Sequence, residues 1–145
     1  PEAKDAMAHF EMRFAITPLA MDKWFGAQAT APGPDALASV HALMEHKGFS
    51  FDNPNRMRAL IGAYSTSNPT GFNRKDGGGY KLLAEAVLRI DRQNPQTASR
   101  LLTAMRSWRS LEAMRKTKAR EALSLIAQEK SLSTDVRDIV ERMLG

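Results

Sequence analysis

Asn53-Pro-Asn-Arg-Met-Arg-Ala-Leu-Ile-Gly-Ala-Tyr-Ser-Thr-Ser-Asn-Pro69 decides how this chain is read. It opens on a residue whose side-chain oxygen can cap a helix. Proline follows at the first helical position, where a missing N–H costs nothing because that group has no partner inside the helix. Met57, Leu60, Ile61 and Tyr64 then fall at i, i+3, i+4 and i+7, the spacing of one helix face. Arg56 and Arg58 flank that stripe, each about 100° round the helix from Met57. Asn68-Pro69 closes the stretch by starting another helix with the same device. Asn94-Pro95 repeats it a third time, again ahead of an apolar stripe and an arginine, Arg100.

Working outward, residues 2–15 form an Ala-, Glu-, Lys- and Met-rich helix with Phe10 and Phe14 four apart. Thr17-Pro18 starts a helix that carries Leu19, Trp24 and Phe25 to about Thr30. Ala31-Pro32-Gly33-Pro34 breaks it. Asp35 is expected to cap the next helix, with Leu37, Val40 and Met44 on one face and Ala36 and Leu43 beside them. Lys47-Gly48 ends that helix, and Phe49 to Asp52 runs extended into the central stretch. Beyond Pro69 a helical turn near Thr70–Asn73 and a flexible loop, Lys75 to Gly79, precede three further stripes. These are Tyr80, Leu83, Ala84 and Val87; Ala98, Leu101, Leu102 and Met105; and Val136, Ile139, Val140 and Met143. Leu111 to about Lys130 is helical, and Ser133 or Thr134 caps the last helix.

No stretch alternates apolar and polar residues as a half-buried strand does. The predicted fold is all-α. Asn53 and Asn94 lie 41 residues apart, within the roughly 40–47-residue period of armadillo and HEAT helix pairs. We therefore expect an irregular helical superhelix of antiparallel helix pairs, an armadillo- or HEAT-like solenoid forming one domain over residues 1–145.

Length and composition narrow the function classes. The 145 residues are 43% hydrophobic and 26% charged, ordinary for a globular chain with a sizeable core. No apolar run approaches the roughly 20 residues of a membrane span, so no membrane partner is expected. There is no cysteine, which excludes disulfides and thiolate chemistry and fits a reducing, cytoplasmic compartment. Residue 1 is proline rather than methionine, which leads us to expect a piece of a longer polypeptide. The net charge of +5 permits an acidic or nucleic-acid partner without requiring one.

Three candidate chemistries do not hold. His9, His41 and His46 are the three histidines. The run from His41 to His46 resembles a scrambled zinc-peptidase motif, but five residues turn a helix by about 500°, which leaves the rings about 140° apart. They read as two separate helix histidines near a C-terminus. Asp76-Gly77-Gly78-Gly79 lacks the spacing, the lysine and the hydroxyl of a phosphate loop. Arg106 to Arg120 holds six basic residues against one acid, with Trp108 among them. A nucleic-acid surface has that composition, and so has the solvated back of a helix; a basic patch without a motif leaves the expectation at no nucleic-acid partner. No catalytic residue and no metal-ligand cluster is expected in this chain.

Several separate runs carry a more specific signal. They are Met21-Asp22-Lys23-Trp24-Phe25 with Gln28-Ala29-Thr30, Asn53-Pro54-Asn55-Arg56 with Arg58 to Ala63, Ser67-Asn68-Pro69, Asp76-Gly77 with Gly79-Tyr80, and Asn94-Pro95-Gln96 with Ala98 to Leu101. In that order and at compatible spacing they resemble the C-terminal domain of the bacterial-type aminopeptidase N family, from about Leu19 to the end. The resemblance implies paired helices stacked over the catalytic domain of the same polypeptide, a zinc aminopeptidase that removes N-terminal residues from peptides. The domain would close the active-site chamber and form the channel to it. Zinc would lie in the catalytic domain, with no cofactor in this chain. Arg58 and Arg100 match two arginines that project into the family's channel, and Gln96 matches a residue near the same surface. Without the resemblance, Arg58 and Arg100 are flank arginines lying over apolar neighbours, and the chain reads equally as a stand-alone helical-repeat module that binds a protein or nucleic acid. Departures from the family are Asn73, Gly78 and Leu111; the first two bear on loop packing at the channel face.

Overall fold

The computed structural model describes residues 18–145. The expected helix over residues 2–15 and the Thr17 cap lie outside the described residues. Every regular element among the described residues is helical, as the stripes predict. The chain divides at Asn68–Pro69 into two compact units.

In the first unit, α1 (Pro18–Thr30) packs on α2 (Ala36–Met44) and on the central helix. That helix begins as α3 (Pro54–Met57), widens into a π-helical stretch over Arg58–Gly62, and ends as α4 (Ala63–Ser67). Asn53 caps it as expected, extended at φ −104°, with its Oδ1 accepting the Arg56 N–H at 3.1 Å. Through the widened turn the Ala63 N–H reaches back five residues to the Arg58 carbonyl. Ser65 and Thr66 hydroxyls then donate to the Ile61 and Gly62 carbonyls, each at 2.8 Å. Met57, Leu60, Ile61 and Tyr64 keep their common face and are fully buried. The core also takes Met21, Trp24, Phe25, Ala29 and Val40.

Some local expectations are corrected. Leu19 lies on α1 with Trp24 and Phe25 as expected, but it is 67% exposed while they are buried. Asp35 precedes α2 but makes no side-chain cap, because its backbone (φ −92°, ψ 7°) has already turned out of the extended conformation a cap requires. Asn68 has a long-range role that its place before proline does not announce: its buried amide donates to the carbonyls of Ala29 at 2.9 Å and Ala31 at 3.2 Å.

The second unit starts with the short α5 (Pro69–Phe72), followed by α6 (Gly78–Asp91), α7 (Pro95–Leu102), α8 (Ala113–Ala127) and α9 (Thr134–Leu144). α6 lies against both α7 and α8, and α9 against both α7 and α8. Asn94 caps α7 through the Thr97 N–H at 3.1 Å. Ser133 caps α9 through the Val136 N–H at 3.2 Å. The helix expected from Leu111 starts two residues later, because Trp108–Ser110 forms a 3-10 turn and Glu112 caps α8 through the N–H groups of Met114 and Arg115. α7 gives way at Thr103 to a 3-10 turn that carries Met105 into the core.

The glycine run is not a flexible loop. Gly77 sits at φ 78°, and α6 already begins at Gly78. A Cβ on Gly79 would fall 2.1 Å from the Phe72 carbonyl oxygen. Absence of a side chain is thus what lets α6 start against α5.

Two stability outcomes follow. Arg56→Ala strips the partner from the half-buried Asp22 and should cost roughly 2–4 kcal/mol, read as a lower denaturant midpoint; Arg58→Ala should cost under about 0.5 kcal/mol as a surface change. Gly79→Ala should destabilise by about 2–4 kcal/mol through its backbone clash. Gly26→Ala, whose Cβ meets only the Ala59 carbonyl at 3.5 Å, should be neutral or up to about 1 kcal/mol stabilising. Equal midpoints for the two glycine variants would show that α5 and α6 do not approach as described.

Candidate functional site

The two arginines that flank the central stripe have opposite fates. Arg56 turns inward and is 7% exposed. Its Nε donates to Asp22 Oδ1 at 2.6 Å, Nη1 donates to the Gly48 carbonyl, and Nη2 reaches the Pro18 carbonyl at 3.5 Å. The guanidinium carbon also lies 5.4 Å from the centre of the Phe25 ring. Arg58, at the start of the π-helical stretch, is exposed, and its Nη2 donates to Asn55 Oδ1.

Gln96 and Arg100 are brought together. Both stand exposed on α7, four residues apart and therefore on one face. The turn before α7 is pinned by the Asn94 cap, and the opposite face is held by buried Ala98, Leu101 and Leu102. Arg58 belongs to the first unit and Gln96 with Arg100 to the second.

The basic segment is largely spent inside the protein. Arg109 donates to the Met143 carbonyl at 3.0 Å and to the Gly145 carbonyl at 2.6 Å. It stacks at 5.2 Å on Trp108, and Arg120 stacks on the same ring at 5.3 Å. Trp108 itself is buried, with Nε1 donating to the Met143 carbonyl at 3.0 Å. Arg115 donates to the Asn73 carbonyl at 2.6 Å, and Lys118 pairs with Glu121 at 3.7 Å.

Asn73, one of the departures from the family pattern, is built into this unit. Its Oδ1 accepts the Tyr80 hydroxyl at 2.6 Å and its Nδ2 donates to the Pro69 carbonyl at 2.9 Å. Gly78 gives its N–H to Asp76 Oδ1 at 2.8 Å.

The perturbed acids serve helix starts and turns. Hydrogen bonds from Arg74 and then the Gly78 N–H hold Asp76 below its ordinary range. The Arg115 and Met114 N–H groups do the same for Glu112, and Ser131 for Glu129. Such bonds stabilise the fold above the unfolded carboxylate pKa and are lost as pH falls through the lowered folded one. Burial raises the Tyr80 hydroxyl.

A groove of about 350 Å³ between α6 and α8 is lined by Asp76, Gly77, Lys81, Lys118, Glu121, Ala122 and Leu125. It includes neither Gln96 nor Arg100.

Among the described residues no group of three or more His, Cys, Asp and Glu side chains could hold a metal ion. His41 is exposed on α2. His46 lies past the end of that helix, contrary to the reading of two helix histidines; its ring is 5.3 Å from Trp24 and its Nδ1 accepts the Gly48 N–H at 2.8 Å. No helix among the described residues is long and apolar enough to cross a membrane.

Comparison with known proteins gives these side chains a family. The model of a family described as a domain of unknown function with ARM repeats matches residues 1–145. Aminopeptidase N of Escherichia coli is 38% identical over 139 residues, covering 96% of this chain and 16% of the relative. Aminopeptidase N of Haemophilus influenzae is 36% identical over 138 residues, covering 95% and 16%. The corresponding protein of Caulobacter vibrioides is 37% identical over 140 residues, covering 97% and 16%. The chain thus spans about a sixth of the length of these relatives. A crystal structure of Legionella pneumophila aminopeptidase A in complex with aspartic acid superposes with a TM-score of 0.92 at 33% identity, over 99% of this chain and 17% of that one. The chain belongs to this ARM-repeat family, as the C-terminal domain type found in bacterial aminopeptidase N.

Proposed function

We propose that this chain is the C-terminal domain of a zinc-dependent aminopeptidase that releases N-terminal residues from peptides. It covers the active-site chamber of the catalytic domain of the same polypeptide, and Arg58, Gln96 and Arg100 line the substrate's path. The carrying observation is near-complete coverage of the chain by aminopeptidase N relatives of which it spans only a small part. Zinc and its ligands are assigned to the rest of the polypeptide, and the compartment to the cytoplasm. Neither a membrane nor a nucleic acid enters this reading.

The chemistry of the exposed arginines suits that role. A peptide presents backbone carbonyls along its length and a carboxylate at its far end. A guanidinium offers five donors in a planar fork that matches both. The Arg100 side chain has no hydrogen bond or ion pair among the described residues, and Arg58 has a neutral partner. Gln96, on Arg100's face, adds one amide donor pair and one acceptor for a peptide bond. The stand-alone interaction module draws less support, because four of the six basic residues between Arg106 and Arg120 already have partners within the fold.

Residues that meet only the distal part of a peptide bind ground state and transition state alike. They lower KM and leave kcat unchanged. In the full-length enzyme, Arg100→Ala should weaken peptides of four or more residues by about 1–2 kcal/mol, roughly tenfold in KM. A single-residue alanyl anilide is too short to reach that contact and should change little. Arg58→Ala should behave likewise, and reversal of charge at either position should be worse for acidic peptides. Steady-state kinetics on an alanine peptide series beside the anilide decides it: equal losses on short and long substrates would mean a disturbed fold, and unchanged kinetics on all would remove both residues from the path.

A further inference from the structure

Asn55 lies at the second position of α3, between the cap and the two arginines. Asn53 supplies the cap, which leaves the Asn55 side chain to a different partner. Its Oδ1 accepts the hydrogen bond from Nη2 of Arg58, three residues on and one turn along the same face. Arg56, between them, is turned inward by Asp22 and the carbonyls of Gly48 and Pro18, which anchors the turn that presents Asn55 and Arg58. Both side chains are exposed.

We propose that Asn55 is a positioning residue for Arg58, and that its neutral amide keeps the Arg58 charge available to a peptide's distal carboxylate. The inference rests on the channel reading of Arg58. One of the guanidinium's five donors goes to Asn55, and the others have no partner among the described residues. A carboxylate here would orient Arg58 equally well, but would also neutralise it and repel an acidic substrate end. An amide orients without cancelling charge. That distinction makes position 55 a determinant of specificity as well as of geometry.

The variants are tractable. An acid at the second helical position lies favourably at the positive end of the helix, so Asn55→Asp should unfold no earlier than the parent. The test uses the full-length enzyme and two substrates, an alanine tetrapeptide with a free C-terminal carboxylate and the same peptide amidated. For Asn55→Asp the ratio of KM for the free acid to KM for the amide should rise roughly two- to fivefold, the strength of an exposed charge pair. Asn55→Ala, which loses the positioning of Arg58, should raise KM for the free acid more than for the amide, and should add nothing in an Arg58→Ala background. General damage to the fold would shift both substrates together and leave the ratio flat. If Arg58→Ala raises KM for the tetrapeptide while Asn55→Asp leaves the ratio unchanged, the inference falls alone. If Arg58→Ala itself has no effect on either tetrapeptide, the channel reading of Arg58 falls with it.

Discussion

The Arg56 guanidinium ties together several parts of the first unit. Asp22 comes from the middle of α1, the Pro18 carbonyl from its start, the Gly48 carbonyl from the connection after α2, and Phe25 from the core face of α1. A buried guanidinium is costly unless its donors are taken and its charge is paired. Here one carboxylate, two carbonyls and a ring meet those demands, so the cost becomes a constraint on arrangement. α1, the connection and the central helix can satisfy Arg56 together in only one register. The buried stripe of Met57, Leu60, Ile61 and Tyr64 supplies favourable apolar burial, yet apolar contacts alone tolerate sliding.

The second unit solves the same problem with smaller groups. Asp91, 6% exposed near the end of α6, accepts the Ser133 N–H at 2.8 Å and its hydroxyl at 2.5 Å. The same hydroxyl oxygen accepts the Val136 N–H at the start of α9. A chain of three groups thus sets where α9 begins relative to α6. At the other end of α9, Trp108 and Arg109 take the Met143 carbonyl, which a helix C-terminus leaves without a partner of its own.

Helix faces and most caps were legible in the sequence because both depend on neighbours within about one or two turns. Asn53, Asn94 and Ser133 show this. Asn68 shows the limit, since its amide ties down carbonyls nearly forty residues earlier. The fates of Arg56 and Arg58 were illegible for the same reason: at equal angles from Met57, periodicity treats them alike, and the asymmetry comes from Asp22, 34 residues away. The glycine run read as flexible because spacing carries no information about the Phe72 carbonyl waiting against Gly79. For the candidate site, Gln96 and Arg100 entered through the family resemblance, and their four-residue separation on α7 accounts for the shared face. The π-helical turn at Arg58 did not, because a widened turn leaves the order of apolar residues unchanged.

Charge pairing separates structural arginines from available ones. Arg56 has Asp22, Arg74 has Asp76 and Arg115 has Glu112, so their positive charge is offset where it fixes the fold. Arg58 has only a carboxamide, and Arg100 has no such partner among the described residues. Exposed ion pairs contribute little to stability, so adding a carboxylate beside either residue would gain the fold almost nothing. It would, however, cancel the field that an approaching anion meets. Within each unit the local structure therefore permits a free cation at these two positions at negligible structural cost, which is the arrangement a distal peptide carboxylate requires.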